Sequence, residues 1–182
     1  MNANKNEFAV IGWGSLIWNP NNLRIKSTNW FNDGPRLPIE FARKSDDGRI
    51  TLVIFDKYIN DADKWVTTYW NNLYVASLYE AIQNLKNREC TTEGNVGYVC
   101  KDSSKGRIKK IVDHIKEWCI VKNVLGVVWT DLSPNIEISE AITYLKDLQG
   151  DCLRKSMEYI GKTPPQIRTP LRKIIEEELS CF

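Results

Sequence analysis

Histidine is nearly absent from this chain: there is one, His114, in 182 residues. Every Ser–His or Cys–His nucleophile would have to use it, and no metal site of two or more histidines can form. His114 falls beside the apolar face of a predicted helix, a place for a helix-surface or core-edge residue rather than a general base. An excess of one charge is also missing. With 25 Lys+Arg against 23 Asp+Glu the net charge is +2, too little to suggest nucleic acid or an anionic membrane as partner. No apolar run approaches a transmembrane helix, and Met1-Asn2-Ala3-Asn4-Lys5-Asn6-Glu7 is polar where a secretory signal would be apolar, so a cytoplasmic location is expected. Neither a Walker loop nor a G-x-G-x-x-G is present, and no nucleotide cofactor is implied. The five cysteines, Cys90, Cys100, Cys119, Cys152 and Cys181, are odd in number, widely spaced and without a C-x-x-C pair; they read as free thiols, with no metal.

What is present is ordinary globular material: 42% hydrophobic and 26% charged, without internal repeats or a long polar linker. A single domain over residues 1–182 is expected, mainly helical from about residue 137. Strands are predicted at 8–11, 50–55, 65–70, 96–99 and 124–129, with 56–64 as a hairpin or longer turn. Helices are predicted over 75–89, 105–119, from Ser139 to near Gly150, and, beyond the segment 151–160 and a Pro-rich turn around Thr163-Pro164-Pro165, after Pro170, where Leu171, Ile174, Ile175 and Leu179 share a stripe. Of the seven tryptophans, Trp18, Trp65, Trp70 and Trp129 lie in or beside apolar strands and read as core, whereas Trp13 and Trp30 suit a pocket wall.

Two places carry chemistry. Gly12-Trp13-Gly14-Ser15-Leu16-Ile17-Trp18 puts a Gly-rich turn at the end of the first strand, where successive N–H groups can converge on an anion or oxyanion; a tight turn chosen for packing is the alternative. Further on, Leu78, Ala81, Ile82 and Leu85 make an apolar helical stripe whose next position is Glu89. A carboxylate there is either buried, at a cost of several kcal/mol unless paired, bonded or protonated, or solvated on a frayed end. Where it is buried, the apolar stripe and the helix C-terminus both disfavour its charge and raise its pKa. Arg88 points elsewhere around the helix and is not expected to neutralise it.

These two segments resemble one family. Ile11-Gly12-Trp13-Gly14-Ser15-Leu16-Ile17-Trp18-Asn19-Pro20 is similar to the Gly-Tyr-Gly-Ser-Leu-Ile-Trp signature of γ-glutamylcyclotransferase-like proteins, nearest to the ChaC-type branch, with Trp13 where the signature has tyrosine. Ala81-Ile82-Gln83-Asn84-Leu85-Lys86-Asn87-Arg88-Glu89, followed by Gly97-Tyr98, resembles the family's helix ending in Arg-Glu and then Gly-Tyr. Phe41-Ala42-Arg43-Lys44-Ser45 and Arg49-Ile50-Thr51-Leu52 echo a Phe-x-Arg, Ser and Thr-Leu pattern, while the branch's His-Arg-Gly segment survives only as Gly48-Arg49. The resemblance runs from Phe8 to Val99 and leaves Thr169-Pro170-Leu171-Arg172 without an explanation.

The resemblance implies an α+β fold with a mixed, largely closed sheet or barrel flanked by helices, and no cofactor. It implies cleavage of a γ-glutamyl amide (glutathione, a γ-glutamyl peptide or a γ-glutamylamine) by its own α-amine, giving 5-oxoproline and a free amine. Glu89 would be the acid/base, at the mouth of a cavity near Ser15, with Gly12, Trp13, Gly14, Ser15, Leu16, Ile17 and Tyr98 binding substrate. Such chemistry suits a histidine-poor chain, because nucleophile and electrophile share one molecule and one carboxylate can carry the proton. The competing expectations are a non-catalytic small-ligand binding or interaction protein that keeps the fold, and an unrelated structural domain.

Overall fold

The first strand is apolar on both faces, as a central strand must be. In the computed structural model, which describes residues 7–178, β1 (Phe8–Gly12) pairs antiparallel with β6 (Tyr69–Asn72) and parallel with β9 (Gly126–Thr130). β9 pairs antiparallel with β7 (Val96–Cys100), which carries β8 (Ser103–Lys105) on its outer edge, giving the order β6-β1-β9-β7-β8. Two ribbons stand apart from this sheet: β2 (Arg36–Leu37) with β5 (Val66–Thr67), and β3 (Ile39–Lys44) with β4 (Ile50–Ile54). The protein is α+β with a mixed sheet. Among the described residues no sheet closes into a barrel, so the strand pairing by itself does not give the largely closed sheet that the sequence led us to expect.

Side-chain alternation divides the core. Phe8 and Val10 point to α1 (Leu78–Arg88), which buries Ala81 and Leu85 against Val96 and Val128, with Leu78 and Ile82 partly covered. Ala9 and Ile11 point the other way, into a larger cluster that includes Ile111, Ile115 and Trp118 of α2 (Lys109–Lys122) and Phe41 and Ile50 of the β3–β4 ribbon. The same cluster takes in Leu145 of α3 (Ile138–Asp147), Tyr159 and Ile160 of α4 (Gly150–Lys162) and Leu171 and Ile175 of α5 (Pro170–Glu178). Trp129 is fully buried there, and its indole lies across Gly97, its register partner, where a Cβ would overlap the ring. His114 sits at the core edge, its ring edge-on to Trp65 at 5.2 Å.

Several boundaries differ from the sequence reading for local reasons. The run 65–70 is not one strand: Thr68 turns out of the ladder, its N–H and hydroxyl both donating to the Pro35 carbonyl (3.3 and 2.7 Å). Residues 103–105 belong to β8, so α2 starts at Lys109. The linker is a longer turn, with 3₁₀ segments at Asp56–Tyr58 and Ala62–Lys64. Helix α1 begins at Leu78 because the Ser77 hydroxyl accepts the Glu80 N–H at 3.2 Å. No helix is long and apolar enough to cross a membrane among the described residues. The four described cysteines are free; Cys181, Leu179 and the first six residues lie outside the described residues.

Thr169-Pro170-Leu171-Arg172 proves to be a helix start. The Thr169 hydroxyl accepts the Arg172 N–H at 3.2 Å, Pro170 opens α5, and the Leu171 N–H donates to Glu40 Oε2 at 3.0 Å. Glu40 is wholly buried in β3; it also accepts the Phe41 N–H (2.7 Å) and the Tyr58 hydroxyl (3.3 Å) and faces the Thr169 hydroxyl. Desolvation raises its pKa against the pull of those donors. Below the unfolded carboxyl value both states hold the proton. Between that value and the raised folded one, only the folded state holds it, so stability falls as pH rises through that window. Chemical denaturation from pH 4 upward should show wild type losing stability relative to Glu40→Gln as pH rises; a relative gain would mean that Glu40 is ionised when folded.

Candidate active site

Glu89 is held by the way α1 ends. Cys90 takes the left-handed conformation (φ 49°), its N–H donates to the Asn87 carbonyl at 3.3 Å, and the Thr91 N–H reaches back to Lys86 at 3.1 Å. This paired closure is a Schellman motif. It ends the helix in an ordered turn rather than a frayed one and turns Glu89 into a cavity of about 300 Å³. The opposite wall is the turn after β1, where the Ile17 N–H bonds Gly14 (3.0 Å) and the Asn19 N–H bonds Ser15 (2.8 Å). Trp13, Gly14, Ser15 and Leu16 line the cavity together with Glu89. The Gly14 and Leu16 N–H groups make no backbone hydrogen bond among the described residues and remain as donors.

Gly12, Ile17 and Tyr98, grouped with these by sequence, do not line the cavity. Gly12 still belongs to β1 and packs under Trp30. Ile17 is drawn into the turn by its bond to Gly14. Tyr98 alternates to the α1 side of β7, and its phenol oxygen accepts the Ser103 hydroxyl at 3.3 Å. Trp13 is a cavity wall, and its Nε1 donates to the Leu52 carbonyl at 3.2 Å, which ties the turn to β4. Trp30 packs outside the cavity, in the cluster under α1.

Arg88 corrects a further expectation. It does not point away from Glu89: Nη1 donates to Glu89 Oε1 at 3.0 Å, and Nη2 reaches the Ser15 hydroxyl (3.1 Å) and the Asn19 carbonyl (2.6 Å). Glu89 is the C-cap, where the chain leaves helical geometry, so adjacent side chains that a continued helix would hold apart can converge. The two side chains are 8% and 17% exposed, so this is a largely desolvated pair. Desolvation raises the Glu89 pKa; Arg88 first, and the nearby buried Thr130 hydroxyl, which makes no hydrogen bond, act against it without cancelling it.

Tyr159, which the sequence reading passed over, is the other wall. Its phenol oxygen sits against Gly14, where any Cβ would overlap it, and faces the backbone N–H groups of Ser15 and Leu52. Burial keeps the phenol protonated, its pKa pushed up to about 12. One signal was legible: Tyr159 lies on the buried stripe of α4 with Ser156 and Ile160, and a phenol in the core needs a polar partner. Arg43, Ser45, Arg49 and Thr51 of the β3–β4 ribbon complete a polar lining. No protein-family model, curated protein or solved structure matches this chain.

Titration of the Glu89 carboxyl by ¹³C NMR should give a value above the usual ~4.3 of a free glutamate. Arg88→Met should move it further up, since the guanidinium is the main group favouring the charged form. A downward move would show that Arg88 acts chiefly by keeping Glu89 out of water.

Proposed function

We propose that this protein is a γ-glutamylcyclotransferase-like enzyme, nearest to the ChaC-type branch, that converts a γ-glutamyl amide to 5-oxoproline and a free amine. The observation that carries the reading is Glu89, fixed by a helix cap and facing the Gly14–Leu16 turn across one cavity. The fold reading goes with it: the five-stranded sheet and both ribbons contribute to one core cluster, which is how a largely closed sheet of this family would be filled. A small cytoplasmic substrate fits the near-neutral chain, with neither nucleic acid nor membrane as partner.

In this mechanism the ionised Glu89 takes a proton from the substrate α-ammonium, and the freed amine attacks the γ-carbonyl carbon. The carbonyl electrons move to oxygen, and the Gly14 and Leu16 N–H groups stabilise that oxyanion; one such donor is worth about 3 kcal/mol in comparable sites. Glu89 then gives its proton to the leaving nitrogen, the carbonyl reforms, and the C–N bond breaks; the ring nitrogen gives its second proton to Glu89, which passes it to the departing amine, so the products are the neutral lactam and an ammonium ion. No water is consumed. A pKa raised by desolvation suits a group that must both accept and return a proton. The Ser15 N–H faces Tyr159 and serves the turn, not the oxyanion.

Trp13 supports a second reading, a binding protein with the same pocket, because its side chain's only polar hydrogen is committed to Leu52. Mass spectrometry of reactions with glutathione, γ-glutamyl dipeptides and γ-glutamylamines separates the two. Wild type should release 5-oxoproline, and Glu89→Gln should lower turnover by at least about 10³-fold while still binding substrate. Turnover that survives the substitution removes Glu89 from the mechanism. Thermal stabilisation by γ-glutamyl ligands without turnover favours the binding protein.

A further inference from the structure

β1 and β9 run parallel, and their C-terminal ends meet at the Glu89 cavity: β1 delivers the Gly14–Leu16 turn and β9 delivers Thr130. Ligands of parallel strands collect at such ends. The pairing of β9 with β7 continues without a bulge to Thr130 and its partner Val96, so side-chain alternation holds to the end of the strand. Trp129 enters the larger cluster and Val128 faces α1. Thr130 therefore faces α1 as well, at the level where that helix ends in Glu89.

Thr130 Oγ1 is buried and makes no hydrogen bond, although it lies beside the Glu89 carboxyl. The other hydroxyls that line the cavity are engaged. Ser15 accepts from Arg88 (3.1 Å), Ser45 donates to Asp47 (2.7 Å), Thr51 donates to the Arg43 carbonyl (3.2 Å) and Thr91 accepts from the Asn95 amide (2.8 Å), while the Tyr159 phenol faces the Ser15 and Leu52 N–H groups. Packing does not call for a hydroxyl at 130. The strand reads Gly126-Val127-Val128-Trp129-Thr130, and valine, which has the shape of threonine, would suit its end without burying an unpaired polar group.

We propose that Thr130 is a substrate-binding residue whose hydroxyl accepts one N–H of the substrate α-ammonium while Glu89 takes the proton of another. The inference rests on reading this cavity as the site of γ-glutamyl cyclisation. A hydroxyl has two lone pairs and one hydrogen, so Thr130 can accept from the nitrogen and turn its own hydrogen to the Glu89 carboxylate. One side chain then serves both groups between which the proton moves. The Gly14 and Leu16 N–H groups cannot replace it: they only donate, which suits the carbonyl oxygen and not an ammonium. Arg88 occupies Glu89 Oε1 at 3.0 Å and, being a cation, leaves the ammonium to the Thr130 side of the carboxyl.

The test measures kcat/KM for γ-glutamylglycine and glutathione in wild type, Thr130→Val and Thr130→Ser, and in each the inhibition constant of glutarylglycine, which carries hydrogen where the substrate carries its α-ammonium. Thr130→Val should lower kcat/KM about 30-fold and leave the glutarylglycine constant within about twofold, and Thr130→Ser should stay within about threefold of wild type in both. If Thr130→Val does not fold, Thr130→Ala against Thr130→Ser makes the same comparison. An unchanged kcat/KM, an equal loss for substrate and inhibitor, or a loss that Thr130→Ser shares overturns the contact and leaves the cyclotransferase reading standing. Turnover of neither γ-glutamylglycine nor glutathione by wild type overturns both.

Discussion

Arg88 is the side chain on which the site depends. Its guanidinium joins the end of α1 to the turn after β1 by gripping Glu89, the Ser15 hydroxyl and the Asn19 carbonyl at once. A desolvated carboxylate without such a partner costs several kcal/mol and is relieved by moving into water or by holding its proton permanently. The Schellman closure opposes the first escape, because the Thr91–Lys86 and Cys90–Asn87 hydrogen bonds fix the backbone on either side of Glu89 and with it the direction in which the side chain leaves the helix. Arg88 limits the second. Desolvation still wins, so the carboxylate keeps a raised affinity for a proton that it can nevertheless release.

The C-terminal helices serve this arrangement from the other side. Tyr159 presses on Gly14 and faces the N–H groups of Ser15 and Leu52, while Trp13 bonds the Leu52 carbonyl, so the turn is clamped between β4 and α4. Glu40 in turn fixes the start of α5 through the Leu171 N–H. Donors held in this way need no reorganisation when charge develops, the condition under which backbone N–H groups stabilise an oxyanion effectively.

Short-range patterns made much of this legible. The apolar first strand, the stripe of Leu78, Ala81, Ile82 and Leu85, and the Gly-rich turn are visible as residue spacing, and each is found at its expected place. What the sequence hid depends on chain reversal and long-range contact. Arg88 and Glu89 converge only because the helix ends between them, and Tyr159 reaches Gly14 across 145 positions of sequence. Tyr98 was misplaced because strand alternation, which sends it to the α1 side, is set by pairing with Val128. Thr68 left its strand because of a proline more than thirty residues earlier.

The most direct measurement is the structure of the protein with 5-oxoproline bound. The account predicts the lactam in the Glu89 cavity, its ring nitrogen within hydrogen-bonding distance of the Glu89 carboxyl, about 2.6–3.2 Å, and its carbonyl oxygen on the Gly14 and Leu16 N–H groups. A lactam bound elsewhere, or one seated in the cavity with its ring nitrogen turned away from Glu89, would contradict it.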